Sequence, residues 1–337
     1  MKREMTNITQ KLWGWKVAAH LFLVAAGAGA YIAGFFLLII RSGIQPLLLP
    51  PGSFSPFLVA AEVGIVVAVP LLIAGGICIV SNLGYKANAV RAFNRPWSSW
   101  LSAGGVLMLL FTILDLVFIG TWLNAPSAPL NGGNLALGIV NLVLAIAILI
   151  YSGMLLKALK PFAFWNTWLL PLLFFLSGLT TGIMVTVFAV AIYGFVLGDI
   201  MVQPLLLCLF YLNFLMILKA IVIALYLWRA AELPSTKSSF LLIAKERFAL
   251  IFWLGVVAAG IIIPVVLGFF LVSAPPQNST LSFILALIVT VPGLAGGYVL
   301  KYLVLKAGTC VPINASGQYV ALPETSRVPA SHRVRYR

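Results

Sequence analysis

Long apolar runs constrain this chain more than any other feature, because eight stretches of roughly 20 residues or more pass along it. A helix rises 1.5 Å per residue, so about 20 apolar residues cross the roughly 30 Å of hydrocarbon in a bilayer. With 62% apolar and 8% charged residues, the chain cannot hide these runs in a water-soluble domain. The sequence therefore predicts an all-α integral membrane protein of about eight transmembrane helices, near residues 17–40, 56–82, 98–122, 134–157, 168–196, 203–229, 248–272 and 280–305.

The joints between these runs carry helix-breaking residues, at positions 45–56, 124–133, 234–235 and 275–277. We expect two four-helix bundles, residues 1–160, which hold the functional site, and residues 161–307. Residues 308–337 form a basic polar tail that is too short to fold alone. The first apolar run is longer than that of a cleaved signal peptide, so we expect it to remain as a span.

Histidine and cysteine are too scarce to build a metal centre. His20 and His332 are the two histidines, and the second lies in the polar tail, so a membrane haem held by two imidazoles is excluded. Cys78, Cys208 and Cys310 are too far apart for thiolate-cluster spacing. We expect no haem and no iron–sulfur cluster in this chain. If the protein takes part in electron transfer, its redox group diffuses or belongs to a partner.

The net charge of +14 does not indicate nucleic-acid binding, because the basic residues stand singly at the ends of apolar runs. No glycine-rich phosphate loop, HExxH motif or Ser/His/Asp set suggests a nucleotide-binding or hydrolytic site. Three pairs of glycines four residues apart predict close helix contacts: Gly178 and Gly182, Gly194 and Gly198, and Gly293 and Gly297.

Basic residues predict the orientation, because loops rich in Lys and Arg tend to stay in the cytoplasm. Arg41 is the one basic residue on the opposite side. We therefore expect both termini in the cytoplasm, although a basic face also suits docking of an acidic partner. The basic side contains Lys2, Arg3, Lys11, Lys16, Lys86, Arg91, Arg95, Lys157, Lys160, Arg229, Lys237, Lys245, Arg247, Lys301 and Lys306.

Ionisable side chains inside the apolar runs call for an explanation, since each costs about 2.5–3.5 kcal/mol at mid-helix. Glu62 and Asp115 both lie about 10 Å inside the face opposite the basic side. We expect them either to pair with each other or to belong to a proton route. Lys219 is a further proton-route candidate, but it also suits a lysine that bonds a backbone carbonyl or extends its stem towards the cytoplasm. Arg247 lies near an edge and suits a simple anchor.

His20 and Tyr151 share a level in the membrane. His20 lies about 8 Å and Tyr151 about 9 Å inside the cytoplasmic boundary, so the two side chains can meet. The alternatives are a histidine that ties two helices together and a tyrosine of the interfacial aromatic belt.

The order of motifs resembles the NrfD-like family, the membrane subunits of polysulfide reductase and related molybdopterin enzymes. The resemblance runs from Trp13 to about Gly308 and rests on four segments. These are WGWKVAAHLFLVAAGAGA in the first span, IYSGMLLKALKPFAFWN closing the fourth, ERFALIFWLGVVAAGIIIPVVLG in the seventh and GGYVLKYLVLKAGT in the eighth.

The resemblance implies a helical subunit without a cofactor of its own, in a prokaryotic inner (plasma) membrane. It is expected to bind a quinone, of the menaquinone or ubiquinone type, near the face on which a four-cluster ferredoxin-like iron–sulfur protein docks. Through that protein it would serve a molybdopterin or similar catalytic subunit.

In the family pattern the first-span histidine and the fourth-span tyrosine contact the quinone headgroup, and these match His20 and Tyr151. The pattern has an asparagine one turn before the histidine, where this chain has Lys16. An imidazole and a phenol suit a quinone oxygen, which accepts a hydrogen bond when oxidised and donates one when reduced. Gly153 and the small residues at 25–30 are expected to leave room for the ring and its isoprenoid tail.

Three alternatives stay open from the sequence. Polysulfide-type members usually hold their catalytic partners outside the cytoplasm, whereas the basic loops here place the His20 end inside. A secondary transporter would also suit eight spans with membrane charges and helix-interrupting prolines (Pro70, Pro171, Pro264 and Pro292), although no inverted repeat is visible. The third alternative is a purely structural membrane anchor.

Overall fold

The computed structural model describes residues 13–48, 56–82, 99–124, 132–197, 202–273, 279–311 and 319. Helices dominate this part of the chain. They are α1 (Trp15–Leu48), α2 (Pro56–Val80), α3 (Trp100–Asn124), α4 (Gly132–Lys157), α5 (Leu169–Leu197), α6 (Val202–Glu232), α7 (Lys237–Ala244), a π-helical segment (Ile251–Ile262), α8 (Ile263–Ser273) and α9 (Ser279–Lys306).

Eight of the described helical units are long and apolar enough to cross a membrane. The π-helical segment and α8 together form the seventh, and α7 is a short connecting helix. Large apolar side chains such as Phe214, Val196 and Phe270 are exposed on the outside of the helices, as lipid-facing residues are. The predicted all-α architecture with eight spans is confirmed.

The first helix lies at the centre of the molecule. It packs against α2, α4, α5 and α9, and together with α5 it is the most enclosed span. One cluster of buried apolar residues surrounds Tyr31, and a second surrounds Tyr151 and Trp165. The division into two four-helix bundles at residue 160 stays a prediction, and α1 contacts α5 and α9 across that boundary.

Glycines bring α1 and α5 into close contact. A methyl group added at Gly29 would overlap the backbone of Gly178 and Gly182, and one added at Gly182 would overlap the backbone of Gly29. Gly293 and Gly297 likewise lie against side chains of neighbouring helices, Met184 and Thr181. Small residues allow close backbone approach where lipid supplies no hydrophobic drive for association. The predicted contacts of these two glycine pairs are confirmed, whereas Gly198 of the third pair lies outside the described residues.

The seventh span begins as a π-helix, which the sequence did not predict. The backbone N–H of Ile263 reaches back five residues to the carbonyl of Ala258, and regular α-helix follows from Ile263. Gly260 in the segment lies directly against Gly296 of α9. Such widened turns are rare in helices and often occur at functional sites.

The cytoplasmic side predicted from basic residues corresponds to one end of the helices. Lys157, Arg229 and Lys306 lie in the last turns of α4, α6 and α9. These three helices end on the same side, because they are the fourth, sixth and eighth spans and alternate spans run in the same direction. The basic residues at 2, 3, 11, 86, 91 and 95 lie outside the described residues. Membrane orientation itself stays a prediction.

Candidate functional site

His20 of α1 and Tyr151 of α4 are in contact inside the helix bundle. Their ring centroids lie 6.4 Å apart, with the ring planes at 76° in an edge-to-face arrangement. His20 is 0% and Tyr151 1% exposed, so both side chains are withdrawn from the lipid surface. A tyrosine of the interfacial aromatic belt would face the lipid headgroups. Because Tyr151 is buried, it does not belong to that belt.

Each of the two rings has a polar atom without a partner among the described residues. Nδ1 of His20 lies 2.9 Å from the carbonyl oxygen of Gly75, whereas its Nε2 and the hydroxyl of Tyr151 make no hydrogen bond there. Buried polar groups without partners cost free energy, and in native proteins they often mark a ligand site. The two atoms offer the donor and acceptor that a quinone oxygen needs, so these residues fit the expected ligand.

Glycines of two further helices shape this pair. Gly75 of α2 supplies the carbonyl that holds His20, and Gly104 of α3 lies against the ring of Tyr151. A methyl group at Gly104 would overlap the ring atoms next to the tyrosine hydroxyl. The first four spans therefore all contribute to the position of the pair.

Lys16 and Gly153, the other two residues predicted to bind quinone, make different contacts. Lys16 is half-buried one turn before His20, and its ammonium group is 3.4 Å from the carbonyl of Ser81 beyond α2. Gly153 lies against Pro171 of α5, whose backbone occupies the space a side chain would need. The free space expected at Gly153 is therefore absent from the described structure, because the missing side chain allows a close α4–α5 contact instead.

The membrane acids differ in their surroundings. Asp115 of α3 is fully buried, and neither carboxylate oxygen has a hydrogen-bond partner among the described residues. It interacts electrostatically with Tyr31, whose hydroxyl donates to the carbonyl of Gly138, one turn before the buried Asn141. Glu62 is half-buried on α2. The sequence missed Tyr31 as a neighbour of Asp115, because a tyrosine is not ionised at neutral pH.

Two lysines are fully buried in the second half of the chain. Lys219 of α6 is 3.4 Å from the hydroxyl of Thr180, so the expectation that it extends towards the membrane edge or bonds a carbonyl was wrong. Lys301 of α9 was assigned to the basic edge, and this was also wrong, because it is 0% exposed and bonds the carbonyl of Leu21. Its position five residues before Lys306, about 8 Å inside the edge, was the signal available in the sequence.

No three His, Cys, Asp or Glu side chains come together as metal ligands in the part of the chain that the structure describes. His20 stands there without a second imidazole, and its neighbours are the aromatic ring of Tyr151 and the backbone of α2. The site as described therefore consists of hydrogen-bonding groups.

Comparison with known proteins identifies the family of this chain. Residues 4–313 match the family described as "Polysulphide reductase, NrfD". The sequence is 27% identical over 329 residues to the C subunit of polysulfide reductase from Wolinella succinogenes, covering 88% of this protein and 94% of that subunit. It is also 27% identical over 212 residues to protein NrfD of Escherichia coli K12, covering 54% of this protein and 60% of that one.

Proposed function

Because this chain belongs to the NrfD family of polysulfide reductase membrane subunits, we propose that it exchanges electrons and protons between membrane quinone and an iron–sulfur partner subunit. The chain is a multi-pass membrane protein. The observation that carries the proposal is the buried contact between His20 and Tyr151, in which each ring keeps one polar atom without a partner among the described residues.

The proton on His20 is positioned by its hydrogen bond to α2. The carbonyl of Gly75 can only accept, so Nδ1 carries the hydrogen and donates it. In the neutral ring Nε2 is then a free acceptor, which can take a proton from a hydroxyl and return it to a carbonyl. A fixed Nδ1–H therefore makes Nε2 the atom of His20 that exchanges protons with the ligand.

Tyr151 supplies the second contact. Its hydroxyl has no protein partner in the described structure, so it is available to a ring oxygen of the ligand. Gly104 lies on the ring and restricts its orientation. A bound quinone supplies two-electron, two-proton chemistry at its two ring oxygens. The protein holds those oxygens, keeps bulk water away and provides the proton at Nε2.

The remaining parts of the proposal concern the surroundings of this pair. Lys16, one turn before His20, is the third residue proposed for quinone binding. Glu62, Asp115 and Lys219 are proposed for a proton route. The partner is proposed to be a four-cluster ferredoxin-like subunit that connects this chain to a molybdopterin or similar catalytic subunit, and the ligand a menaquinone or ubiquinone.

Purification from the native membrane tests this function. We expect a tagged chain in mild detergent to co-purify with an iron–sulfur protein whose visible absorbance bleaches when a short-chain quinol is added. The cluster absorbance reports electron transfer without knowledge of the final substrate. A chain that purifies alone and binds a solute would indicate a transporter. A complex whose clusters do not respond to quinol would indicate a structural anchor.

Labelling of Cys310 tests the proposed orientation, in which both termini face the cytoplasm. Cys310 is exposed just beyond α9, whereas Cys78 is half-buried and Cys208 buried. We expect a membrane-impermeant maleimide to label the chain only after the inner membrane is opened. The Cys310→Ser variant, which should stay unlabelled, is the control. Label on intact spheroplasts would reverse the orientation and place the His20 end outside.

A further inference from the structure

Two amines from different helices are enclosed in the helix bundle, and one of them, that of Lys301, lies close to His20. Lys219 is 1% and Lys301 0% exposed, and the two side chains interact electrostatically with each other. The ammonium group of Lys301 lies 3.0 Å from the carbonyl of Leu21, the residue that follows His20, and Lys301 also interacts electrostatically with His20. The three groups therefore form a series from α1 through α9 to α6.

One face of α5 connects the two amines. Lys301 lies 5.9 Å from the ring centre of Phe174, and Lys219 lies 3.4 Å from the hydroxyl of Thr180. Ser177 stands midway between these residues on the same helix, and its buried hydroxyl has no hydrogen-bond partner among the described residues. Ser177 therefore lies on α5 one turn from each of the two residues that contact the amines.

Carboxylates are scarce on the described helices around the two amines, where Glu62 of α2 and Glu232 of α6 are the Asp and Glu residues. The described helices α1, α5, α8 and α9 and the π-helical segment contain no Asp or Glu. The acid on α6 is Glu232, about 20 Å along the axis from Lys219. Two ammonium charges without a counter-ion strongly repel each other in a medium of low dielectric constant. The pair therefore holds one proton more readily than two.

We propose that Lys219 and Lys301 form a paired-amine site that stores one proton and exchanges it with His20. The proposal rests on the function proposed above and assigns the group that supplies His20 with its proton. In the exchange a proton leaves Nζ of Lys301 and is taken up at Nε2 of His20, and no electron moves. The pair then becomes neutral, and the reverse transfer restores its single charge. The enclosed position of both amines suits a proton and leaves no access for a larger ion.

Few other charged or titratable groups face this site. His20 faces it from α1, Tyr151 of α4 contacts His20, and α5 carries Tyr193 near its far end. The π-helical segment and α8 contain no ionisable residue. Glu62 and Cys78 on α2 and Lys237 on α7 are the ionisable residues of the other described helices that contact α6. On α9 itself the neighbours are Tyr298, Tyr302 and Lys306.

Substitution of Lys301 in the purified complex tests the proposal. In Lys301→Met we expect quinol-driven cluster reduction to slow about 100-fold and its solvent isotope effect to increase, because proton transfer becomes limiting. Lys301→Arg keeps a charge that cannot be released, so it should be equally slow. Lys306→Met, on the same helix, is the matched control.

Binding of a short-chain quinone, measured by quenching of tryptophan fluorescence, separates this role from a structural one. We expect the variants to bind with the affinity of the wild type. The proposal is overturned if the clusters of Lys301→Arg are reduced by quinol at the wild-type rate and with the wild-type isotope effect. It is also overturned if quinone binding is lost in step with the rate. Failure of the wild-type complex to respond to quinol would instead refute the function proposed above.

Discussion

Tyr151→Phe is expected to reduce quinol-driven cluster reduction by about 100-fold or more, since it removes a positioned hydrogen-bonding and proton-exchanging group from the site. The hydroxyl has no protein partner in the described structure, so its removal leaves no other group unpaired. The substituted protein should therefore assemble normally. His20→Ala should have at least the same effect on turnover, because it removes Nε2. The measurement is the rate of cluster bleaching in the purified complex.

Tyr226→Phe is the matched control for Tyr151→Phe. Its hydroxyl is also buried, but it donates a 2.7 Å hydrogen bond to the carbonyl of Phe164. Loss of that bond should lower the free energy of unfolding by about 1 kcal/mol and leave turnover unchanged. Gly104→Ala, which displaces the Tyr151 ring, should slow turnover, whereas Gly120→Ala on the same helix meets open space and should not. Wild-type turnover in Tyr151→Phe would refute the assigned site.

Gly182→Leu should prevent accumulation of the folded protein. The atoms that a side chain at this position would meet belong to the backbone of Gly29 and Ala30, which cannot rotate away. The α1–α5 contact would have to open, and because α1 is the central helix the disturbance would spread to α2, α4 and α9. We expect the free energy of unfolding to fall by about 3 kcal/mol or more, as for a severely overpacked core. Size-exclusion chromatography of a fluorescent fusion would show aggregate in place of the folded peak.

Gly120→Leu is the control for this effect, because a side chain at Gly120 meets open space. It should elute and melt like the wild type. Gly29→Leu, on the other side of the same contact, should reproduce the defect of Gly182→Leu. If Gly182→Leu melts at the wild-type temperature, then the close α1–α5 approach does not exist in the membrane.

The sequence predicts how deep each residue lies in the membrane. It does not predict the direction in which the side chain points. His20 and Tyr151 were predicted to lie at the same depth, because the helical rise per residue gives the depth of each position along its span. The same arithmetic would have found Lys301, which lies as deep as His20, yet the abundance of basic residues at that edge hid it. Gly153 was expected to border a free space, and the structure fills that space with Pro171.

The number of spans, the all-α class, the family and the shared depth of His20 and Tyr151 could all be read from the linear sequence. These depend on hydropathy, length and the order of motifs, all of which are linear properties of the chain. Only the packing of the helices brings Lys219 and Lys301 together, turns Asp115 towards Tyr31, and joins α1 to α5 through bare backbone. In a membrane the lipid-facing and core-facing sides of a helix are both apolar, so only helix packing fixes the rotation that brings such groups together.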